Sequence, residues 1–324
     1  MSFPICIASA VIAAVLPASA AAQSVYPSKP IHLILPVGAG TGVDVIVRKA
    51  GETLLPRLGQ PFVVENRASA NMVTGADACA KAPKDGHGMC ALSSLSIAYN
   101  PLTISSLPYD PDKDFRPVVN MFFLLEGLIA KAALPVSSVR EIQALALARP
   151  GELNFGTLGP GSTTDISRQW LEEKWGAKIT GIHYKGGSAV VQALAAGEID
   201  FSRIGAYNAL ALIRSGRVKL LALGGDQRSN LFPEVLTNEE AGLAGIPPSR
   251  PFWALFMPAG VPDAAVRRIN TEFVRLFQEK SFQDFLDTQV VIIGTGTPED
   301  LAALVRRERD LAAQIVKKYN VPKQ

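Results

Sequence analysis

Three apolar, strand-like runs of this chain each end in a cluster of glycines with Ser or Thr and pass directly into a helical pattern. The junctions lie within residues 31–48, 153–170 and 179–194. A helix that begins at such a loop presents N–H groups without intrahelical partners and the positive end of its dipole, which together favour an anion. A tight connection would explain any one of these loops. Three of them in one chain predict a pocket for a small acid.

Length and charge indicate a folded protein of about two domains that does not bind polyanions. The chain has 324 residues, of which 48% are hydrophobic. The net charge is +3 and the basic residues are dispersed, so a nucleic-acid surface is not indicated. The densest basic stretch, residues 306–318, also carries Glu308 and Asp310, which indicates a solvated helix face.

The first 22 residues have the composition of a secretory signal peptide. They carry no charge, and an apolar run over residues 5–16 is followed by Pro17 and by small residues up to Ala22. We expect cleavage near Ala20 to Ala22 and a periplasmic mature protein, although no Lys or Arg precedes the apolar run. An uncleaved membrane anchor is the alternative, but the run is short for a span.

Two cysteines remain once Cys6 leaves with the signal peptide. Cys79 ends a helical pattern and Cys90 lies in the next strand, with a turn at residues 84–86 between them. In an exported chain we expect these two residues to form a disulfide, which would stabilise the fold by about 3 kcal/mol in the chain-entropy model. Two buried free thiols are the alternative.

Short β-branched runs alternate with helical patterns along the mature chain, which predicts α/β units on mostly parallel sheets. Two helix starts carry capping signals, namely Ser138 with Glu141 and the sequence Thr297-Pro298-Glu299-Asp300. The clearest strands are expected near residues 31–37, 62–65, 89–92, 154–157, 199–204, 220–223 and 290–293.

The domain boundaries are inferred from two apolar stretches, because the chain has no internal repeat and no low-complexity linker. Residues 118–130 and 247–257 are each interpreted as a strand that crosses from one domain to the other. Two crossings without a flexible linker allow a hinge and restrict other motion. A long amphipathic helix from Pro298 should close the first domain. We expect a signal peptide at 1–22, a discontinuous lobe I at 23–124 plus 251–324, and lobe II at 125–250.

The sequence offers little support for catalysis or for a bound metal or cofactor. The three histidines are not spaced with Cys, Asp or Glu as metal ligands, and G-x-S-x-G, H-E-x-x-H and C-x-x-C motifs are absent. Residues 38–42 follow a strand and open a helix, and Glu65 ends the next strand, as in a dinucleotide-binding unit. Their spacing is G-x-G-x-G, however, and an exported chain lies away from nicotinamide pools. We expect no enzyme activity, no metal and no cofactor.

Short motifs follow one another in a fixed order along the mature chain. They include Tyr26-Pro27-Ser28-Lys29-Pro30, Val64-Glu65-Asn66-Arg67, Leu107-Pro108-Tyr109-Asp110, Tyr184-Lys185-Gly186, Ser215-Gly216-Arg217 and Pro258-Ala259-Gly260. In this order the motifs resemble the Bug family, the extracytoplasmic solute receptors of tripartite tricarboxylate transporters. The resemblance spans essentially the whole mature chain, and it depends on the number of motifs rather than on any one of them.

The resemblance implies a type II periplasmic-binding fold, in which two α/β lobes joined by two crossing strands close on a small carboxylate in the cleft between them. It also implies delivery of that ligand to the permease subunits of a membrane transporter, and we expect the receptor to be a monomer. Carried over by motif, one wall of the cleft would be lined by Gly38, Ala39, Gly40, Thr41, Gly42 and Ser93 or Ser94. The other wall would be lined by Thr157, Gly161, Ser162, Thr163, Tyr184, Gly186 and Gly187.

Two departures from the family's pattern bear on the ligand. Asp165 stands where a histidine is common, and Arg203 with Ile204 stand where many members have an aromatic residue and then an aspartate. We hypothesise that Arg203 pairs with a ligand carboxylate, for example the second group of a dicarboxylate. A surface arginine or an internal ion pair is the alternative. Transport is the favoured function, while a periplasmic ligand sensor and, less strongly, an enzyme on the same scaffold stay open.

Overall fold

The computed structural model of the chain describes residues 26–247 and 250–323, so the predicted signal peptide lies outside the described residues. The strands are β1 (Ile31–Leu35), β2 (Phe62–Asn66), β3 (Gly88–Ser93), β4 (Phe115–Leu124), β5 (Glu126–Lys131), β6 (Asn154–Thr157), β7 (Thr180–His183), β8 (Phe201–Gly205), β9 (Val218–Leu223), β10 (Phe252–Pro258) and β11 (Val291–Ile293). The helices are α1 (Gly42–Leu58), α2 (Val73–Ala80), α3 (Asn100–Thr103), α4 (Val139–Ala148), α5 (Thr163–Trp175), α6 (Gly187–Ala196), α7 (Leu210–Arg214), α8 (Asp263–Gln278), α9 (Lys280–Asp287) and α10 (Pro298–Lys318). Short helical turns cover Ala70–Met72, Leu95–Tyr99 and Ala206–Asn208.

The strands form two mixed sheets. The first sheet has the order β11-β4-β10-β3-β1-β2, and the second has the order β7-β6-β8-β5-β9. β1 runs parallel to β2 and β3, and β6 runs parallel to β7 and β8, as predicted. β10 is antiparallel to β3 and β4, and β5 is antiparallel to β8 and β9. The expectation of mostly parallel sheets is wrong for β10 and β5, which each enter their sheet directly from the other sheet. It is also wrong for β11, which is antiparallel to β4 at the edge of the first sheet.

The chain passes between the sheets within the two stretches that the sequence indicated. β4 ends at Leu124 and β5 begins at Glu126, so a single residue separates strands of different sheets. The chain returns through Pro247 and Arg250 to β10. The two crossings lie side by side, since the Leu124 N–H donates to the Pro251 carbonyl at 2.7 Å. We keep the names lobe I and lobe II for the parts built on the first and second sheets, whose residue boundaries stay a prediction.

Each sheet has a buried apolar layer on both faces. In lobe I, Leu33 and Leu255 pack with α1 and α8, whereas Ile34 and Ala254 pack with α2 and α10 on the opposite face. In lobe II, one layer joins β6 and β8 to α4 and α5, and the other joins β5 and β8 to α6. Successive residues of a strand point to opposite faces, so β1 and β10 in lobe I and β5 and β8 in lobe II contribute to both layers. This burial fixes the strands whose ends carry the glycine loops.

The predicted helix caps are confirmed, with one change of partner. At the start of α10, Thr297 accepts from the Asp300 N–H at 3.1 Å, and Asp300 accepts from the Thr297 N–H at 2.8 Å. These two bonds complete a capping box. At the start of α4, Ser138 accepts from the Glu141 N–H at 3.2 Å, but Glu141 accepts from the N–H of Ser137 instead. α10 is the long C-terminal helix that the sequence predicts.

A disulfide joins Cys79 at the end of α2 to Cys90 in β3. The two Cα atoms lie 5.9 Å apart, and both residues are fully buried. The bridge closes a short loop that contains the turn predicted between the cysteines. It therefore holds α2 against the strand that lies next to β1.

Removal of the disulfide should destabilise lobe I. We expect the double variant Cys79→Ala/Cys90→Ala to lose about 3 kcal/mol of unfolding free energy, because the unfolded chain regains the entropy that the closed loop removes. Urea unfolding of the two proteins measures the difference. A reductant should destabilise the wild type by a similar amount and leave the double variant unchanged. Equal stability of the variant and the oxidised wild type would contradict the prediction.

Candidate functional site

The three glycine loops each connect a strand to a helix, as the sequence predicted. Residues 36–41 join β1 to α1, residues 158–162 join β6 to α5, and residues 184–186 join β7 to α6. β1, β6 and β7 belong to the parallel parts of the two sheets. Loops at the carboxyl ends of parallel strands are where open α/β sheets bind ligands. One of these loops belongs to lobe I and two belong to lobe II.

The loop before α1 is held by the carboxylate of Asp44, in the first turn of that helix. Asp44 Oδ2 accepts from the Gly40 N–H at 2.9 Å, and Asp44 Oδ1 accepts from Asn66 Nδ2 at 2.9 Å. Arg48 Nε donates to both oxygens at 3.0 Å. Gly40 has a φ of +78°, which glycine adopts without steric strain. The Gly40 amide, predicted to face a ligand, is therefore used within the loop.

These hydrogen bonds keep Asp44 ionised. Burial of the carboxylate would raise its pKa, but the bonds from Arg48, Gly40 and Asn66 outweigh burial and lower the pKa. The negative charge also lies at the positive end of the α1 dipole, which stabilises it further. Asp44 thus stabilises the start of the helix together with the loop.

The remaining groups of this loop surround the start of α1. The Thr41 hydroxyl donates to the Gly38 carbonyl at 3.0 Å, and no side chain in the described part of the chain caps α1. Residues 38–40 are exposed, and Thr41 and Gly42 are half-buried. First-turn N–H groups have no partner within a helix. The amides that open α1 at Gly42 are therefore donors for an anion.

The loop before α5 uses the same arrangement. Asp165, like Asp44 the third residue of its helix, accepts from the Gly161 N–H at 3.1 Å and from Arg168 Nε at 3.0 Å. Ser162 caps α5 by accepting from the Asp165 N–H at 3.3 Å, and its hydroxyl donates to a loop carbonyl at 2.6 Å. The predicted ligand groups of Gly161 and Ser162 are therefore engaged inside their own loop. The sequence marked Asp165 only as a departure from the family.

The predicted ligand-binding residues around α6 differ in how far they are exposed and free to bind a ligand. Thr157 is fully buried with its Oγ1 2.6 Å from His183 Nδ1, so this hydroxyl is used within lobe II. Tyr184 is half-buried. Gly186 precedes α6 with a φ of +112°, and none of the described side chains caps that helix. The amides that open α6 at Gly187 are therefore donors for an anion, as at α1.

The end of β3 meets the start of α5 at the contact between the lobes. Ser93 ends β3, and both Ser93 and Ser94 are buried. In the turn that follows, Leu95, Ala98 and Tyr99 belong to one apolar cluster with Ile166 of α5. Thr163, at the first position of α5, is also buried. The ends of these two elements are therefore neighbours, although they belong to different lobes.

The structure corrects the hypothesis that Arg203 pairs with a ligand. Its side chain is 1% exposed and forms an ion pair with Glu126, the first residue of β5. It also donates to Ser167 Oγ and to the Pro247 carbonyl, both at 3.1 Å. Burial raises the pKa of Glu126 and lowers that of Arg203, and the charge of each residue opposes the shift of the other. The structure therefore contains the alternative, an internal ion pair. This ion pair lies where both crossings enter lobe II.

A turn after β8 supplies two residues that the sequence analysis missed. Tyr207 reaches from lobe II to lobe I, where a Cβ built on Gly42 would lie 2.1 Å from Tyr207 Cδ2. Asn208 packs on the start of α6, since a Cβ built on Gly187 would lie 3.1 Å from Asn208 Nδ2. Of the three helices that follow glycine loops, this turn therefore touches the two whose first amides lack a side-chain cap from the described residues. Such a short turn has no periodicity, so only its position after a predicted strand could have indicated it.

Other kinds of site find no support in the part of the chain that the structure describes. No group of three or more His, Cys, Asp or Glu residues there lies close enough to hold a metal. None of the helices there is both long and apolar enough to span a bilayer. Two surface depressions of about 200 and 310 Å³ lie beside α1 and α4, and neither is lined by a residue predicted to bind the ligand. The glycine loops and the turn at Tyr207 remain the candidate site.

Sequence comparison places the chain in a family. The profile described as tripartite tricarboxylate transporter family receptor, TctC, matches residues 46–321. The chain belongs to this family. It is similar to the protein BugT of Bordetella pertussis, with 32% identity over 90% of each chain. A UPF0065 protein from the same organism is 28% identical over 97% of each chain.

Solved structures agree with this assignment. The chain is similar to a protein of R. palustris with adipate, at 26% identity and a TM-score of 0.87, over 92% of this chain and 100% of that one. It is also similar to MatC from Rhodopseudomonas palustris with bound malate, at 26% identity and a TM-score of 0.81, over 90% of this chain and 100% of that one. The fold is thus the periplasmic-binding fold predicted from the sequence. The TctC proteins are periplasmic solute-binding receptors and not enzymes.

The Asp44 carboxylate should stabilise the fold at neutral pH and lose this effect in acid. We expect Asp44→Asn to lose about 2 kcal/mol of unfolding free energy at pH 7, because Arg48 loses its charged partner. The folded pKa is lowered, so the contribution is complete above the unfolded pKa of about 4 and disappears as the pH falls through the folded pKa. Urea unfolding between pH 7 and about pH 3 should therefore show the two proteins converging.

The matched control for this variant is Glu52→Gln, an exposed acid on the same helix. Glu52→Gln should lose less than about 0.5 kcal/mol of unfolding free energy at every pH, because exposed ion pairs contribute little. A difference between wild type and Asp44→Asn that persists or grows in acid would contradict the role assigned to Asp44.

Gly42 should be the more sensitive of two glycines in the first loop. An alanine there places its Cβ 2.1 Å from the Tyr207 ring, so the ring must move. We expect Gly42→Ala to lose about 1–3 kcal/mol, as overpacked positions do. No heavy atom of the described residues outside the immediate chain neighbours lies within 4 Å of a Cβ built on Gly38, so Gly38→Ala should be nearly neutral. Urea unfolding measures both, and a Gly42→Ala protein as stable as the wild type would rule out the contact between the lobes.

Proposed function

We propose that the protein is a periplasmic receptor that captures a small carboxylate between its lobes. The observation that carries this proposal is that one turn touches two helix starts, since Tyr207 contacts the first residue of α1 and Asn208 contacts the first residue of α6. α1 belongs to lobe I and α6 to lobe II. First-turn amides and the helix dipole favour a negative charge. A carboxylate between the two helix starts would hold the lobes together.

The relatives support a carboxylate as the ligand. The two similar R. palustris structures are described with adipate and with malate. Backbone amides recognise the charge of a ligand and place few demands on its body, which agrees with different acids in similar proteins. We propose Gly38, Ala39, Thr41, Gly42, Gly186 and Gly187 as the sources of these amides, with Ser93, Ser94, Thr163 and Tyr184 beside them.

Capture of this kind requires no chemical conversion. Two adjacent crossings between the lobes permit hinge closure and restrict other motion. Contacts that the ligand makes only in the closed form shift the population toward that form. The contact of Tyr207 with Gly42 belongs to this closed arrangement, because it joins the two lobes. The proposed lobes are 23–124 plus 251–324 and 125–250, as the sequence predicts.

We further propose that the closed receptor, a monomer exported with loss of residues 1–22, delivers its acid to the membrane subunits of a tripartite transporter. The family description supports this partner. Uptake of a labelled acid by cells that express the permease subunits, with and without this chain, tests delivery. Uptake that does not depend on the chain would count against it, whatever the chain binds.

A thermal-shift screen followed by titration calorimetry tests carboxylate capture. Monocarboxylates, dicarboxylates, aromatic acids and amino acids form the screen, with the methyl ester of each hit as the neutral control. A ligand at 100 times its Kd should stabilise the native protein by about 2.7 kcal/mol and so raise its Tm. At least one acid should bind with a stoichiometry of one, and its ester should not.

Three results would refute this proposal. If every acid fails to bind, or if an ester binds as tightly as its acid, the site does not recognise a carboxylate. Conversion of a bound acid into a product would indicate an enzyme instead of a receptor.

A further inference from the structure

The cations close to the glycine loops are mostly engaged by the protein itself. The arginines are bound to internal carboxylates, Arg48 to Asp44, Arg168 to Asp165 and Arg203 to Glu126. Within the three loops, all of which lie in the described residues, Lys185 is the only cation, and it is exposed. A buried ligand with two carboxylates needs a second counter-charge. The interior of the contact between the lobes therefore suits one carboxylate rather than two.

The same region is lined by aromatic side chains from both lobes. The Tyr207 ring lies on Gly42. Trp253, on β10 of lobe I, is 1% exposed, and its Nε1 has no partner of regular hydrogen-bond geometry among the described residues. Burial raises the pKa of the Tyr207 hydroxyl to about 12, and the donors on Asn208 and Trp253 oppose this rise. Trp253 lies opposite Ser93 at the end of β3 and belongs to the same apolar cluster as Val43 of α1, which places it on the face of the sheet that carries the start of α1.

We infer that Tyr207 and Trp253 form the specificity-determining wall of the cleft, and that this wall selects a monocarboxylate with a flat apolar body over an aliphatic dicarboxylate. The inference rests on the proposed capture of a carboxylate and adds the class of the acid. In this arrangement the ligand's carboxylate accepts hydrogen bonds from the first N–H groups of α1 and α6, and its flat body lies against the Tyr207 ring. The Trp253 N–H is a further donor to the same carboxylate.

Three physical effects favour this class of ligand. Aromatic rings prefer stacked or edge-to-face partners at short range. A buried indole N–H without a hydrogen bond of regular geometry is unfavourable, and a carboxylate oxygen satisfies it. A second carboxylate would enter a region that also contains Ile204, whose Cδ1 would lie 2.9 Å from a Cβ built on Gly187. β8 thus places an apolar side chain beside the start of α6.

Titration calorimetry at pH 7 with benzoate, cyclohexanecarboxylate, adipate and malate tests the inference. The wild type should bind benzoate about tenfold more tightly than any of the other three probes. Tyr207→Ala should weaken the affinity for benzoate about tenfold and change the affinity for adipate by less than about threefold. Only the flat ligand loses the ring against which it packs. Tyr207→Phe keeps the ring and should keep the preference for benzoate.

The donor role of Trp253 is tested separately. Trp253→Phe removes the indole N–H. This variant should bind both benzoate and cyclohexanecarboxylate about fivefold more weakly than the wild type does. Trp170→Phe is the matched control, because Trp170 is half-buried on α5 in lobe II, and it should change neither affinity. Thermal unfolding checks that each variant is folded, and Tyr207→Leu replaces Tyr207→Ala if the latter does not fold.

The outcomes separate this inference from the proposed function. Tighter binding of adipate or malate than of benzoate, abolished by Lys185→Met, would overturn the aromatic wall and leave carboxylate capture intact. Equal weakening of all four probes in Tyr207→Ala would assign Tyr207 to lobe closure alone and would also overturn it. Failure of benzoate to bind overturns the inference whatever else binds, and failure of every acid in the wider screen refutes the proposed function as well.

Discussion

The buried ion pair between Arg203 and Glu126 fixes the geometry on which the rest of the cleft depends. Two charges removed from water are unfavourable unless hydrogen bonds satisfy them, and here Ser167 and the Pro247 carbonyl accept from the guanidinium. Glu126 opens β5 directly after one crossing, and Pro247 lies at the other, so the pair ties β8 to both connections between the lobes. The turn that carries Tyr207 follows β8 without interruption. The ion pair therefore sets where this ring meets lobe I.

The glycine loops are shaped by carboxylates of the protein itself. Asp44 and Asp165 each accept from the amide of a glycine four residues earlier, and each is held by an arginine on its own helix. An internal carboxylate at a helix start neutralises part of the positive potential that a bound anion would use. α6 has no acidic residue in its first turn and no side-chain cap from the described residues. Its positive end is thus the least neutralised of the three helix starts.

Local patterns predicted much of this fold but not its contacts between the lobes. The strand, loop and helix at each glycine junction and the capping box of α10 depend on residues close in sequence, so periodicity and spacing were sufficient. The direction of β10 depends instead on which sheet the chain has just left. The pairing of Arg203 and the contact of Tyr207 with Gly42 join residues far apart in the chain, and no pattern within one sequence encodes them. Gly40 and Gly161 are loop glycines, whose N–H groups were expected to be free for a ligand. Instead, each N–H donates to the carboxylate of an aspartate four residues later, Asp44 or Asp165.

The two residues that depart from the family's pattern on β8 have different effects on the charge of the cleft. Successive residues of a strand point to opposite faces, so Arg203 turns toward Glu126 and Ile204 turns toward the start of α6. An aspartate at the second position would repel a carboxylate held there, or would require a cationic group on the ligand. Ile204 removes that repulsion, and Glu126 neutralises the charge that Arg203 adds. The positive end of α6 then suits one carboxylate, while the arginines described beside the loops are already paired with carboxylates of the protein.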